Sequence, residues 1–454
     1  MKWRTYTTYK DSGVEWLGEI PERWNVYRLR MLLRDFEGIK IGPFGSALKL
    51  EYMQDDGYKV YGQEHLINAD FSLGYKYVDE NKFNELIMCE ILPGDLVVSM
   101  MGTTGKCQVV PEHIERGIMD SHLLRLRTND LIFPSYLASL VDDSDYIRHQ
   151  ITTNGKGSIM EGLNSSIIKE LLIMLPPLTE QHTIAAFLDR ETSRIDELIA
   201  KKQRQIELLQ EKRSALISHV VTKGLDPNVK MKDSGVEWLG EIPEHWKVKK
   251  LKHIVQDNLA NGIFKKKDSF GSGVKLINVY DIYRDDFFVH SASLERVEVE
   301  LSEQKKYAVF AGDIFFVRSS LKLEGVGRSV CALDIDEPTV FECHVVRTRP
   351  KRELVNPKYL IHYLNSAPTI NRLVSLSNNV TMATIDQDKI KNLEIVLPPR
   401  TEQDLMMASL EQDLAFMYDL RSRILTSIEK LCEYRTALIS AAVTGKIDVR
   451  EEVA

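Results

Sequence analysis

Residues able to do chemistry are scattered along this chain, and the spacings that would make them a catalyst are absent or broken. The segment MGTTGKC (101–107) approaches a phosphate-binding loop. Such a loop needs glycine at position 100 and Ser or Thr after the lysine, but Met100 and Cys107 stand there. Glu303-Gln304-Lys305 has the ExK spacing of a nuclease carboxylate–lysine pair, but no partner acid sits in a matching motif, so it reads as solvated charge. There is no HExxH, no GxSxG, no GxGxxG between strand and helix, and no Asn-Pro-Pro-Tyr-like loop for amino-methylation. Cys343-His344 lacks a second pair to complete a zinc site, so Cys343 reads as a buried structural thiol. The five cysteines never form CxxC, and the opening MKWRTYTTYKDSG has no apolar run. Both point to free thiols in a reducing cytoplasm. No apolar stretch approaches the roughly 20 residues of a membrane helix.

What remains is cationic. Basic clusters occur at Arg28/Arg30/Arg34, Lys249/Lys250/Lys252, Lys265/Lys266/Lys267 and Arg347/Arg349/Lys351/Arg352. The net charge of −7 argues only weakly against a nucleic-acid partner, because local potential matters more than the sum.

The elements that must position these groups come in two copies. KDSGVEWLGEIPERW begins at Lys10 and KDSGVEWLGEIPEHW at Lys232; 232 − 10 = 222. LPPLTEQ at Leu175 returns as LPPRTEQ at Leu397, and SALISHVVTKGLD (214–226) as TALISAAVTGKID (436–448), at the same interval. Between these matching ends, residues 27–174 and 249–396 differ almost everywhere. One structural unit is therefore present twice and carries two different cargoes.

After each Pro pair a long helix is expected, with Thr179 and Thr401 as N-caps and Gly224 and Gly445 as C-caps. The second helix carries an apolar stripe of Leu410, Leu414, Met417, Leu420, Ile424, Ile428, Leu431, Tyr434 and Leu438. The first has Leu188, Ile195, Leu198, Ile206, Leu209 and Leu216, with Lys202 where its twin has Ile424. Steps of three and four over this length predict a coiled-coil seam. At roughly 40 residues each helix would run about 60 Å. Two such helices from tandem repeats pair most naturally antiparallel about a pseudo-twofold axis, making a rod with a globular part at each end.

The divergent blocks share a frame. Gly94-Asp95-Leu96-Val97-Val98 matches Gly312-Asp313-Ile314-Phe315-Phe316 at an interval of 218, and Gly105-Lys106 matches Gly327-Arg328 at 222. The second block has thus lost four residues early and regained four in the loop after this strand. Arg125 and Arg127 match Arg347 and Arg349, and strand alternation puts each pair on one face. If these blocks bind DNA, contacts common to both should be sequence-blind phosphate contacts: Lys106/Arg328, Arg125/Arg347, Arg127/Arg349 and Arg30/Lys252. Contacts that read bases should sit in unmatched loops, Lys40–Lys49 (KIGPFGSALK) in one block and Phe264–Phe270, with Lys265, Lys266 and Lys267, in the other.

DSGVEWLGEIPE-x-W opening each half, IGPFGS early in the first block, and LPP-x-TEQ opening each helix together resemble the specificity subunits of type I restriction–modification systems. The resemblance covers essentially the whole chain. It implies a mixed α/β fold, with two tandem target recognition domains separated by two long antiparallel coiled-coil helices. The boundaries would be 1–174, first recognition domain; 175–226, first spacer helix; 227–396, tether and second recognition domain; and 397–454, second spacer helix and tail. It further implies a non-catalytic, cytoplasmic subunit reading a split, asymmetric site on double-stranded DNA. The helices would dock methyltransferase subunits, two of them, and restriction subunits would join. S-adenosylmethionine, ATP and Mg²⁺ would belong to those partners, with no cofactor or metal in this chain. IGPFGS has only a loose counterpart in the second block, around Phe270-Gly271-Ser272. The competing class is a coiled-coil scaffold whose two variable domains bind proteins.

If the helices set the distance between half-sites, seven residues inserted after Lys202 keep the stripe and add about 10 Å, roughly three base-pair rises. The expected outcome is a longer preferred spacer or loss of binding. An unchanged spacer at full affinity, read by methylation mapping, would remove the helices from that role.

Overall fold

The computed structural model describes residues 3–452 apart from 36, 101–105, 142–145, 148, 149, 151–164, 257, 266, 380 and 381. Each half opens on a hairpin, Tyr9–Asp11 with Glu19–Pro21 and Met231–Asp233 with Glu241–Pro243, in the same register (Lys10↔Ile20, Lys232↔Ile242). The next strand, Asn25–Arg28 or Lys247–Lys250, pairs antiparallel with the last strand of its block, Leu172–Leu175 or Glu394–Leu397. Each block therefore leaves and returns at one place. The Pro pair that follows cannot extend the ladder, and a long helix starts there: Leu178–Lys223, 46 residues, and Arg400–Val443, 44 residues.

The helices start two residues earlier than expected. Thr179 and Thr401 lie inside the first turn, while the carbonyls of Pro177 and Pro399 accept from Gln181 N (3.0 Å) and Gln403 N (3.0 Å). The prolines have no N–H to strand, so they enter the helix without loss. The C-termini are as expected: Gly224 (φ 83°) and Gly445 (φ 68°) take the left-handed conformation that ends a helix.

The chain forms two compact units, residues 1–202 with 425–454 and residues 203–424. Each joins one variable block to the start of its own helix and the end of the other. In the first unit, Arg190 reaches the Glu452 carbonyl (2.9 Å) and Asp196 pairs with Arg435 (3.0 Å), so the two helix segments run antiparallel. In the second, Arg213 lies over Tyr418, and Gly224 stands beside Glu402, in the same sense.

The seam residues Leu188, Ile195, Leu410, Met417, Ile424 and Leu438 are buried, and Leu209, Leu216 and Leu431 half-buried. Two assigned members are not in it. Leu198 is 40% and Tyr434 47% exposed, while their neighbours Ile199 and Arg435 face inward. At 3.6 residues per turn, position 199 comes back to within about 20° of 188 and position 435 to within about 20° of 410, whereas 198 and 434 fall one residue short of that face. The buried stripe also extends through Ile217, Val220 and Val221 and through Ile439, Ala442 and Val443, where the helix ends enter the globular cores.

The repeated motifs meet where these segments converge. The Trp24 indole donates to Glu180 (3.1 Å) and the Trp246 indole to Glu402 (3.1 Å). Trp24 also lies against Gly445, and Trp246 against Gly224. Gln181 donates to the carbonyls of Leu131 and Pro176 and accepts from Phe133 N; Gln403 makes the same three bonds with Leu354, Pro398 and Asn356. The tryptophan and TEQ motifs thus fasten an opening, an own helix start and the other helix's end.

Each acid has a second partner, but the two differ: Glu180 accepts from the buried Tyr6 hydroxyl, absent from the other copy because position 228 holds Asn, whereas Glu402 lies 2.8 Å from the exposed His245 imidazole. Stranding a buried donor costs about 1–3 kcal/mol. Glu180→Ala is therefore expected to destabilise its unit more than Glu402→Ala does the other. Hydrogen exchange of residues 3–9 and 440–449 should accelerate in the first variant; equal effects would discount the Tyr6 bond.

Candidate nucleic-acid interface

The variable block of the first unit has an antiparallel four-stranded sheet in the order Ile39–Ile41, Leu123–Leu126, Leu96–Ser99, Cys107–Val109. The second has Ala260–Asn261, Val345–Thr348, Ile314–Val317, Ser329–Asp334 and Phe288–His290 in that order. Leu124 faces Val98 and Val346 faces Phe316, so the central pair keeps one register despite the shifted interval. Ser99 N donates to the Lys106 carbonyl (2.8 Å) and Val317 N to that of Arg328 (2.9 Å), again across the shift.

The shared arginines sit on one face of the central strand, as alternation requires, but they serve the fold. Arg127 donates from Nε and Nη2 to Asp95 Oδ1 (2.8 Å) and Oδ2 (2.9 Å), and Arg349 likewise to Asp313 (2.7 and 2.8 Å). Asp95 and Asp313 are 2% and 1% exposed, and each also accepts from its own Gly-Asp turn, at Leu92 N and Phe310 N. The bidentate carboxylate holds the Arg127 guanidinium above its usual pKa. Arg125 is 2% exposed and donates to the carbonyls of Glu90 and Glu37; burial first, then the Arg127 charge, lowers its pKa. Arg347 donates to Ala308 O (2.7 Å) over the Phe341 ring. The reading of Arg125 and Arg127 as solvent-facing phosphate contacts is thus corrected: two arginines on a sheet face stay inside when a turn supplies buried acceptors.

The remaining cations divide. Arg30 and Lys252 are exposed beside the closing strands, paired with Glu170 and Asn392. Lys40 and Lys106 are half-buried; Lys49 is exposed near Glu51 (3.2 Å). Lys265 donates to Glu303 (2.7 Å), so Glu303 is an ion-pair partner rather than half of an ExK pair. Lys266, the side chain of Lys267 and the 101–105 loop lie outside the described residues.

The two divergent loops occupy one place in the fold. A Cβ on Gly42 would strike the Asp120 carbonyl, and one on Gly262 the carbonyls of Phe341 and Glu342. Asp120 and Glu342 are partners at the 222 interval, so Gly262 is the counterpart of Gly42, and the match around Phe270-Gly271-Ser272 is corrected. Two residues beyond each pinned glycine stands an exposed phenylalanine, Phe44 (62%) and Phe264 (74%). The signal was present as Gly-x-Phe in both blocks, hidden by an interval of 220.

The second unit also holds a cleft of about 850 Å³, walled by Ile282, Tyr283, Phe287 and Ile217 and rimmed by Arg284, Lys322, Arg328 and His344. Lys322 comes from the loop that gained four residues. The half-exposed Tyr283 can stack on a base, and Arg284, Lys322 and Arg328 at the rim can neutralise phosphates.

A model of the type I restriction modification DNA specificity domain matches the chain twice, over residues 47–208 and 243–430. The chain is 25% identical over 433 residues to the type I restriction enzyme MjaVIII specificity subunit of Methanocaldococcus jannaschii, covering 95% of this chain and 94% of that one. It is 22% identical over 441 residues to the EcoKI specificity subunit of Escherichia coli K12, covering 95% and 90%. A solved chain described for the assembly and conformational transition of the type I R-M system superposes with a TM-score of 0.70 at 15% identity, covering 93% and 98%. The HsdS subunit of Thermoanaerobacter tengcongensis does so at 0.52 and 16%, covering 94% and 98%. At such identities the structures share the fold, while the family model, twice over and across most of the length, makes this chain a member of the type I restriction–modification DNA specificity family.

Proposed function

We propose that this chain reads a bipartite, asymmetric site on double-stranded DNA, one half per variable block, and brings methyltransferase and restriction subunits to it. One observation carries the reading: a divergent loop leaves a glycine pinned at the same carbonyl in both units, on a sheet held by the same buried Asp–Arg pair. An identical frame under different loops suits two readers with different preferences. Base contacts then lie in 42–49, 262–270 and 318–328; phosphate contacts are Lys49, Lys322 and Arg328, with Lys106, Arg30 and Lys252 nearby. The chain itself performs no chemistry in this reading. S-adenosylmethionine, ATP and Mg²⁺ serve the partner subunits, two methyltransferases among them, and the complex works in the cytoplasm. Among the described residues no helix is long and apolar enough to cross a membrane.

Exchanging residues 27–174 for a foreign block should change one half of the methylated site only; a change in both halves would sink the two-reader model. A salt series separates the arginine classes. Lys322→Ala and Arg328→Ala should each lower the salt slope of DNA binding by about one. Arg127→Ala should leave the slope alone and cost about 3–5 kcal/mol of stability, since it strands Asp95. Phe264→Ala should weaken binding to all sequences by about 1–3 kcal/mol if the ring stacks on a base. A binding curve insensitive to salt would favour the protein-scaffold alternative.

A further inference from the structure

The turn Glu342-Cys343-His344, whose histidine reaches the cleft rim, carries a donor set that the DNA reading leaves without a role. The chain expected to bury Cys343 instead leaves it half-exposed, between a half-buried Glu342 and an exposed His344. The turn interrupts the extended backbone, so three consecutive side chains converge: a carboxylate oxygen, the thiol sulfur and an imidazole nitrogen lie within 4.8 Å of one another. It is the one such cluster found among the described residues. Zinc bonds of about 2.0–2.3 Å place tetrahedral ligands about 3.5 Å apart, so closure needs shifts of about an ångström.

Two of the ligands are already oriented. Glu342 Oε2 accepts from His344 N (3.0 Å), while its Oε1 is buried and meets no N–H or O–H donor among the described residues; the neighbouring Cys343 thiol is the group that interacts with this carboxylate. A buried carboxylate oxygen without such a donor is costly unless something electropositive meets it. His344 Nδ1 lies 3.2 Å from Ser319 Oγ, the outer bond that fixes a metal-binding imidazole. The other copy supplies the contrast. There the turn is Asp120-Ser121-His122, the thiol is absent, and both carboxylate oxygens are used locally, Oδ1 on His122 N (2.8 Å) and Oδ2 beside His122 Nδ1 (3.2 Å). The longer acid and the cysteine together open the second turn.

We propose that Glu342, Cys343 and His344 bind a borderline divalent ion of the zinc class, with a fourth position open to water. Sulfur, nitrogen and one oxygen suit zinc or cobalt; magnesium and calcium want oxygen throughout. The ion would lock a junction. Glu342 N donates to Ile277 O (3.1 Å), Arg318 N to His344 O (2.9 Å), and Ile263 bridges to Glu342, so the turn holds segments leading to the 264–270 and 319–328 loops. This inference stands apart from the DNA reading and survives its failure.

The probe is Co²⁺ added to the full-length chain after chelation and dialysis. Expected are ligand-field bands and a near-ultraviolet thiolate-to-cobalt band, both saturating at one ion per chain and both abolished by Zn²⁺. Cys343→Ser should remove the thiolate band, and Glu342→Gln or His344→Ala should weaken binding by about tenfold or more. Cys432→Ser, at the other accessible thiol, should leave the spectrum unchanged. Absence of the thiolate band from the unaltered chain, or its persistence in Cys343→Ser, overturns the proposal.

Discussion

The hydrogen bond from a buried tryptophan to the first acid of a long helix governs this architecture. Trp24 and Trp246 are fully buried and each would forfeit a donor without Glu180 or Glu402. That bond sets where the helix begins relative to the opening hairpin. The same indole packs on the glycine that ends the other helix, and there a side chain would clash: a Cβ on Gly445 would meet Pro21. One residue therefore measures two helix termini at once. Three stretches far apart in sequence keep their residues because all three meet at that indole, and the blocks between them are released from the constraint.

Inside each block the corresponding constraint is the Asp–Arg pair. A buried ion pair contributes little net stability, because desolvation offsets much of its attraction, yet removing either partner is costly. Its value here is geometric. A bidentate guanidinium joins the Gly-Asp turn to the central strand in one orientation only. The pair therefore holds the sheet while its edge strands, Ile39–Ile41 and Ala260–Asn261, lead into loops of unrelated sequence.

Much of this was legible in the sequence because repetition does the work of an alignment. The interval of 222 exposed the frame, and its slip to 218 and return located the Gly-Asp turn before any coordinates. What escaped has physical causes. Alternation placed Arg125 and Arg127 on one face, but only the fold shows that this face is covered and that Asp95 waits beneath it. Leu198 and Tyr434 fall one residue short of the stripe, because at 3.6 residues per turn the positions that return to its face are 199 and 435. Gly42 and Gly262 share the pattern Gly-x-Phe, but a changed loop length moved the match to an interval of 220, and the carbonyl each one touches identifies them. Lys322 and Tyr283 belong to one cleft only after folding.

The distribution of constraint explains how such a chain can acquire new preferences. A loop that begins at a glycine pressed against a carbonyl has its exit direction fixed by backbone sterics, whatever follows. Phe44 and Phe264 then emerge at the same point, and beyond them sequence and length are free. The second unit uses this freedom twice, with a lysine run after Phe264 and a four-residue gain that brings Lys322 to the cleft rim. Loop changes of this size add little closure entropy, since each doubling of length costs only about 0.6 kcal/mol. Preference can therefore diverge at the loops while stability stays with the tryptophan clamps and the buried Asp–Arg pairs, and neither has to be renegotiated when the other changes.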